Sequence, residues 1–542
     1  MTDQQVQAWI DADPDPRSRD ELLSLDHDQL AERFSDTLHF GTAGLRGPVR
    51  AGPMGMNVAV VTKATAAVGQ WLIEHGHSGG IVVVGRDARH GSEDFFAATT
   101  EVLAAQGFDV VALPAPGPTP LVAFAVRDLK AVAGVQITAS HNPPADNGYK
   151  VYLEQGAQLI PPADAEIERL IAATGPAIEI PRVAVASDER ALANTDRYLA
   201  RLVTRFGRRE HRRVRIALTA MHGVGGDIAV QALRECGFHD VTVVGLQHSP
   251  DPDFPTAAFP NPEEPGASDL LLALADEADA DLAIALDPDA DRCAVGAYVD
   301  GAWRMLTGDE TGALLGADIL AEHPGEDVLV ASTIVSSTLL GKIAQSKGAR
   351  HVATLTGFKW LVRAGDGLVY AYEEAIGHCV DPDGVRDKDG ISAAIALSSL
   401  AERLAEDDKG LADRLDELFT QHGVHLTGQH SVRVDDLSRI GSIMTALRSD
   451  PPTNVAGHSV TAEDFRSRPG QSATDAVQFT GSSERGHIRV IARPSGTEPK
   501  LKFYLEVSQT PGVPLDEAKA RAQAELAALT AEVAEFSTSV RR

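Results

Sequence analysis

Ser140 and His141 stand side by side in the stretch Gly134 to Lys150, GVQITASHNPPADNGYK, with Lys150 ten positions beyond the serine. A hydroxyl next to an imidazole, with two prolines behind it, has the composition of an activated nucleophile that carries a covalent group. The competing reading of the same letters is an Asn-Pro turn dressed with small polar residues. Asp287, Asp289 and Asp291 alternate in DPDADR, directly after the apolar run LAIAL. Three carboxylates leaving a buried strand in this way can converge on one hard cation, and an all-oxygen set suits Mg²⁺. A calcium loop of the EF-hand type also begins D-x-D-x-D, but its sixth and twelfth positions must be Gly and Glu. Here they are Arg292 and Tyr298, which disfavours calcium geometry. Arg292 is placed instead to orient a phosphate that the metal polarises.

Two further stretches look suited to anions. Arg493, Pro494, Ser495, Gly496 and Thr497, followed by Lys500 and Lys502, combine a guanidinium fork, two hydroxyls and a glycine turn with free backbone N–H groups. A plain hairpin turn flanked by surface cations is the bland alternative. In FGTAGLRGPVR, residues 40–50, Arg46 sits among Gly41, Gly44 and Gly47, which allow close backbone approach to an anion or simply form a plain Gly-rich turn. Glu373 and Glu374, ahead of Gly377 and His378, are groups that grip sugar hydroxyls or form a solvated acidic turn. His141 and Lys150 either shuttle protons or hydrogen-bond in place, and Lys150 serves equally as anion contact or base.

The intervening sequence has to position these groups. Asn57 caps a helix whose apolar residues Val58, Val61, Val68 and Leu72 keep a helical period, and Gly76 ends it. Strands are predicted at Ile81 to Val84, Asp109 to Leu113, Val214 to Ala220, Val241 to Gly245, Leu282 to Leu286 and Val328 to Ala331, alternating with helices such as that from Ser92 to about Gly107. This alternation implies mixed, largely parallel sheets with helices on both faces. The charged segment Glu166 to Arg205 reads as a helical link out of the first domain. His222 to Gly226, HGVGG, is not a dinucleotide fingerprint, since the third glycine and the ribose-binding acid are not at the required spacing. Paired strands at His487 to Arg493 and Leu501 to Val507, with Lys502, Tyr504 and Glu506 alternating with apolar residues, and a final helix carrying Leu515, Leu526, Leu529 and Val533, predict a smaller α+β domain. The expected partition is three related α/β domains, 1–205, 206–307 and 308–423, followed by an α+β domain at 424–542.

Composition restricts the partners. A net charge of -28 argues against nucleic acid or anionic membrane, while leaving room for a local cationic pocket that takes a small phosphorylated substrate. Cys236, Cys293 and Cys379 are far apart and fit no metal spacing, so they read as reduced core residues of a cytoplasmic protein. The acidic first residues lack a secretory pattern, and no apolar run is long enough to cross a membrane.

FGTAGLRG, TASHNPPADNGYKVY, DPDADR, TGFK, EEAIG with RDKDG, and RPSGTEPK occur in this order over residues 40–502. Together they resemble the α-D-phosphohexomutase superfamily of phosphoglucomutases and phosphomannomutases. The resemblance implies a four-domain, heart-shaped enzyme with a central cleft, Ser140 as its phosphoserine, and Asp287, Asp289 and Asp291 with the phosphoserine oxygen as Mg²⁺ ligands. It puts Glu373 in a sugar-binding loop and Arg493, Ser495, Gly496 and Thr497 on the distal phosphate. Arg46, His141, Lys150 and Lys359 would line the cleft, with Arg292, Thr356, Gly357, Glu374, Lys388 and Lys502 among the substrate contacts. The implied reaction interconverts hexose 1-phosphate and hexose 6-phosphate through a bisphosphorylated sugar, in a monomer or homodimer. Many members carry Ser where this chain has Ala375, and FGTAGLRG with EEAIG resembles a branch that includes phosphopentomutase-like and broad-specificity enzymes. Glucose, mannose and pentose therefore all stay open. A metal-dependent sugar-phosphate phosphatase is the alternative enzyme, and retention of Ser140 and the three aspartates argues against a non-catalytic sensor.

Overall fold

The computed structural model describes residues 3–208, 212–434, 438–484, 486–495 and 500–539. Its first sheet contains β1 (Leu45–Pro48), β2 (Ile81–Arg86), β3 (Asp109–Ala112), β4 (Ala133–Ile137) and β5 (Asp146–Leu153), in the order β1-β5-β4-β2-β3. Helices Ser92–Ala105 and Thr119–Asp128 give the chain room to cross over, so β2 runs parallel to β3 and β4. Only residues 138–145 join β4 to β5. That is too short for a crossover, and β5 returns antiparallel, with β1 antiparallel beyond it.

The second sheet repeats the plan without repeating the residues. β6 (Ile216–Thr219), β7 (Val241–Val243), β8 (Leu282–Leu286), β9 (Cys293–Val299) and β10 (Ala302–Met305) lie in the order β10-β9-β8-β6-β7. β6 is parallel to β7 and β8; the short 287–292 loop then reverses the chain into antiparallel β9 and β10. A third copy of the parallel half follows, β11 (Leu329–Thr333) between β12 (Arg350–Thr354) and β13 (Leu368–Glu373), and residues 374–376 lead on to β14 (Gly377–Cys379). The sheets are mixed and largely parallel, as expected, with the parallel pairings concentrated in the first half of each repeat. In the first two sheets antiparallel pairings equal parallel ones, because the connection after the third parallel strand is a hairpin.

The chain divides into two compact units, one of Met1–Leu306 with Ala375–Glu406 and one of Thr307–Glu374 with Asp407–Arg542. In the first, the Asn57 carboxamide caps helix Val58–Glu74 by accepting from Val60 N, while its Nδ2 donates to the carbonyls of Arg50, Gly52 and Gly55. The buried face of that helix, including Val61, Val68 and Leu72, joins Val82, Val84, Val135 and Ile137 in one core. Glu166–Arg205 is not a continuous helical link. It breaks into Ala163–Ala173, Glu189–Leu192 and Asn194–Phe206, and its Ile167 is part of the first core. Helix Gly390–Ala405 is capped by Asp389, which accepts from Ile391 N and Ser392 N and from the Tyr198 hydroxyl. Cys236, Cys293 and Cys379 are buried and free.

In the second unit, β15 (His425–Arg433), β16 (Asn454–Val455), β17 (His458–Asp464), β18 (Val477–Ser482), β19 (Gly486–Pro494) and β20 (Lys500–Gln509) form an antiparallel sheet in the order β15-β20-β19-β18-β17-β16. Helix Leu515–Ser539 packs on β15 and β20. The expected polar face of β20 is only partly solvated: Lys502 is half-buried, but Tyr504 and Glu506 are buried. Tyr504 packs with Ile334, Val335 and Ile491, so this face of the sheet meets the loop that follows β11. Among the described residues, no helix is long and apolar enough to cross a membrane.

Asp309, buried in this unit, accepts from Ser337 N at 2.6 Å and from the Tyr372 hydroxyl at 2.9 Å. Burial pushes its carboxyl up to about 7, against the opposing pull of the Ser337 N–H. An acid raised on folding contributes stability that is fully present below its unfolded value and lost as pH rises through the folded one. Unit 2 is thus expected to lose stability between about pH 4 and pH 8, and Asp309→Asn to flatten that slope. Urea unfolding followed across this range provides the check, and parallel slopes in the two proteins contradict the assignment.

Candidate active site

Ser140 occupies the hairpin between β4 and β5 with φ of 52°, in the left-handed region, and is 2% exposed. Its amide donates to Thr138 Oγ1, and its Oγ donates to Asp287 Oδ2 at 2.8 Å. Arg292 Nη1 lies 3.3 Å from the same Oγ. Asp287, Asp289 and Asp291 come from the equivalent hairpin between β8 and β9, where Ala290 also has φ of 52°. All three carboxylates are 0% exposed, and one oxygen from each lies within 4.8 Å of the others.

Cations offset this concentration of charge. Lys150, on β5, reaches Asp289 Oδ2 at 2.6 Å and Asp291 Oδ2 at 2.8 Å, and Lys388 Nζ lies 3.3 Å from Asp291 Oδ2. Burial opposes ionisation of Asp291, but Lys150, Lys388 and Arg292 outweigh it and hold the carboxyl below its ordinary range. Asp289 is lowered too, with Lys150 and the Thr119 hydroxyl overcoming burial and the neighbouring Asp291. For Asp287, burial reinforced by the other two carboxylates wins, and the acid is pushed well above its usual range. Lys150 is raised, because its carboxylate partners outweigh burial; as placed it is an ion-pair partner rather than a proton acceptor. His141 contacts the Arg292 guanidinium through Nδ1, and burial together with Arg292 and Arg46 keeps its imidazole neutral. Arg46, on β1 opposite Gly148, donates to Asn142 Oδ1 at 3.1 Å.

The carboxylate set fits a divalent cation. Asp289 Oδ1 and Asp291 Oδ1 are buried without a hydrogen-bond partner, an arrangement that leaves acceptor capacity for an oxygen-seeking ion. Thus Arg46, Ser140, His141, Lys150, the three aspartates, Arg292 and Lys388 form one constellation in the first unit.

Three supporting groups carried no sequence signal used above. Arg89 is buried and donates to the carbonyls of Ser140 at 2.6 Å, Asn142 at 2.7 Å, Pro143 at 2.9 Å and Asp146 at 3.2 Å, so one guanidinium holds the whole 140–146 turn. Thr119 donates through Oγ1 to Asp289 Oδ2 at 2.5 Å and through N to Asp289 O. Asp387, beside Lys388, accepts from the Tyr152 hydroxyl and Gln158. An Arg two residues after the aspartate that ends a buried strand was the available clue for Arg89; Thr119 offered none, since Thr-Pro opens many helices.

The second unit holds the other candidates. Arg493 and Lys502 face each other across β19 and β20, and Ser495 N donates to Lys500 O. Gly496 and Thr497 lie outside the described residues. Glu373 ends β13; Glu374 follows it, and its Oε2 accepts from Thr333 Oγ1 at 2.9 Å and Ser336 Oγ at 3.2 Å. Gly357, with φ of 106°, starts the short helix Phe358–Leu361 that carries Lys359, and Thr356 before it is half-buried.

A repeated α/β architecture that buries a serine among three carboxylates and three cations defines an enzyme class built for phosphoryl chemistry. Family models for phosphoglucomutase/phosphomannomutase α/β/α domains I, II and III match residues 37–177, 196–298 and 307–422. The chain belongs to this family, within the α-D-phosphohexomutase superfamily, and is an enzyme of the phosphomutase type. It is 41% identical to a probable phosphomannomutase of Haemophilus influenzae, over 84% of this chain and 93% of that one. With a probable phosphoribomutase of Schizosaccharomyces pombe it shares 35% identity, over 92% of each. The fold matches a phosphoglucomutase/phosphomannomutase family protein from Burkholderia thailandensis with a TM-score of 0.69 at 20% identity, covering 93% of this chain and 97% of that chain.

Two measurements check the site. Saturating Mg²⁺, at about a hundred times its dissociation constant, should stabilise the metal-free chain by about 3 kcal/mol, and Asp291→Asn should remove that gain; a melting shift unchanged in the variant rejects the aspartate site. Replacing Arg89 by Ala should free the 140–146 turn, seen as faster hydrogen exchange at the Asn142 and Asp146 amides with other strands unaffected.

Proposed function

We propose that this chain is a phosphohexomutase that interconverts the 1- and 6-phosphates of glucose, mannose or both, through a phosphoserine at Ser140 and a bisphosphorylated sugar. The observation that carries the reading is Ser140 Oγ held 2.8 Å from Asp287 beside Arg292, Lys150 and Lys388. In the first half-reaction the Oγ–P bond of phosphorylated Ser140 breaks and the free sugar hydroxyl takes the phosphoryl group. In the second, the other phosphate of the bisphosphate returns to Ser140, so the group is relocated with no net loss. Asp287, Asp289 and Asp291, with the phosphoserine oxygen, would hold Mg²⁺, which supplies charge neutralisation for the moving group.

Arg292 shares in that neutralisation, since it already faces Ser140 Oγ. His141 accepts at Nδ1 from Arg292, which leaves its neutral Nε2 as an N–H donor toward phosphoryl oxygens. Lys150 Nζ is proposed for the hydroxyl proton, a role that requires it first to give up the proton that Asp289 and Asp291 hold on it in the site as placed. Arg46 steadies the serine turn through Asn142. Glu373, Glu374, Thr356, Gly357 and Lys359 are proposed as sugar-side contacts, and Arg493, Ser495, Gly496, Thr497 and Lys502 as ligands of the distal phosphate. The sugar bisphosphate doubles as activator, and the free, buried cysteines fit a reducing cytoplasm.

A second reading, pentose phosphate as substrate, is favoured by the full-length likeness to a probable phosphoribomutase. Rates on glucose 1-phosphate, mannose 1-phosphate and ribose 1-phosphate decide between them, with inorganic phosphate assayed in parallel. Mutase action requires isomerised product, dependence on catalytic bisphosphate, and phosphate on the Ser140 peptide by mass spectrometry. Ser140→Ala is expected to lower turnover by at least about a thousandfold. Stoichiometric phosphate release instead identifies a phosphatase.

A further inference from the structure

A buried polar network in the second unit links the fourth sheet to the residue after β13. Glu506, on β20, is 4% exposed and accepts through Oε1 from Ser337 Oγ at 3.0 Å, Thr338 N at 2.7 Å, Thr338 Oγ1 at 2.9 Å and His425 Nδ1 at 3.0 Å. Its Oε2 pairs with Arg489 of β19 at 2.7 Å. Arg489 also reaches the same loop, giving Nη1 to Ile334 O at 2.7 Å and Nη2 to Ser336 O. The loop passes the restraint on, because Thr333 and Ser336 donate their hydroxyls to Glu374 Oε2. Among the described residues Glu374 Oε1 has no hydrogen bond, so one oxygen is anchored and the other is open to a ligand.

We propose that Arg489 and Glu506 are positioning residues for Glu374: the fourth sheet fixes the 333–338 loop, and the loop fixes the carboxylate that accepts a sugar hydroxyl. The inference rests on the sugar-phosphate reading of the site. Its physical basis is that a flexible Glu side chain must surrender rotamer freedom to bind, and an anchor set beforehand removes that cost from the ligand. A buried Arg–Glu pair also resists breathing, since separating it leaves two charges in a low-dielectric interior. The pairing is self-consistent: burial would raise the Glu506 carboxyl, yet Arg489 and His425 hold it well below its usual range.

The test is a double-mutant cycle on the full chain, read as KM and kcat with the sugar phosphate that wild type turns over best. Arg489→Met should raise KM about tenfold with kcat within about twofold, the pattern of lost binding rather than lost chemistry. Arg489→Lys should recover part of the loss. Glu374→Gln should raise KM by a similar factor, and adding Arg489→Met to it should then cost nothing further, because the arginine acts through that carboxylate. The pair Thr333→Val with Ser336→Ala removes the two hydroxyls without touching the buried ion pair, and should show the same non-additivity if Arg489→Met does not fold. Additive KM effects, or a fall in melting temperature and active fraction with KM unchanged, overturn the positioning role. Absence of mutase turnover in wild type instead overturns the functional reading beneath it.

Discussion

Everything in the first unit depends on keeping three carboxylates within a few ångströms of one another in a site sealed from water. Unscreened, like charges at this spacing in a low-dielectric interior cost far more than the marginal stability of a domain. The fold meets the problem with cations from separate parts of the chain: Lys150 from β5, Lys388 from the segment before helix Gly390–Ala405, and Arg292 from the loop itself. Asp287 adds a further device, taking the Ser140 hydroxyl and the Arg292 amide as donors. Chemistry and stability are therefore one arrangement here. A substitution at Lys150 leaves both Asp289 and Asp291 without their nearest cation.

The same geometry explains where the candidate residues sit. The first two α/β repeats make parallel strands until the connection becomes too short to cross over, and each hairpin carries candidate site residues, 138–145 with Ser140 and 287–292 with the aspartates; in the third, residues 374–376 follow Glu373. Ser140, Ala290 and Ile376 share a φ of 52°, a conformation that costs an L-residue roughly 1 kcal/mol or more. Three turns after a parallel strand holding the same disfavoured backbone angle indicate that the turn's shape is what the repeat preserves, while the side chains on it differ.

Much of this was legible in the letters. The aspartate triplet behind LAIAL and the serine turn behind GVQI announce themselves because a buried strand that ends in polar residues has to place them somewhere specific. Leu282 to Leu286 falls where the apolar run predicts, and the Asn57 cap starts its helix. What stayed hidden was long-range. Nothing near Tyr504 or Glu506 states that a loop of another sheet covers the second face of β20, so the alternation there reads as solvent exposure. Arg89 and Thr119 act on groups 51 and 170 positions away, and neither has a local pattern that reveals its partner. The break-up of Glu166–Arg205 was masked by charge, which disguises how Ile167 enters a core.

The net negative charge of the chain bears on how fast an anion arrives. A molecule of net charge -28 surrounds itself with a field that repels anions at long range, even though Arg46 and Arg292 stand beside the Ser140 turn. Added salt screens the outer repulsion over a Debye length of about 8 Å at physiological ionic strength, while the buried pairs feel it far less. Encounter with an anionic ligand should accordingly quicken, not slow, as ionic strength rises, the reverse of the usual electrostatic steering.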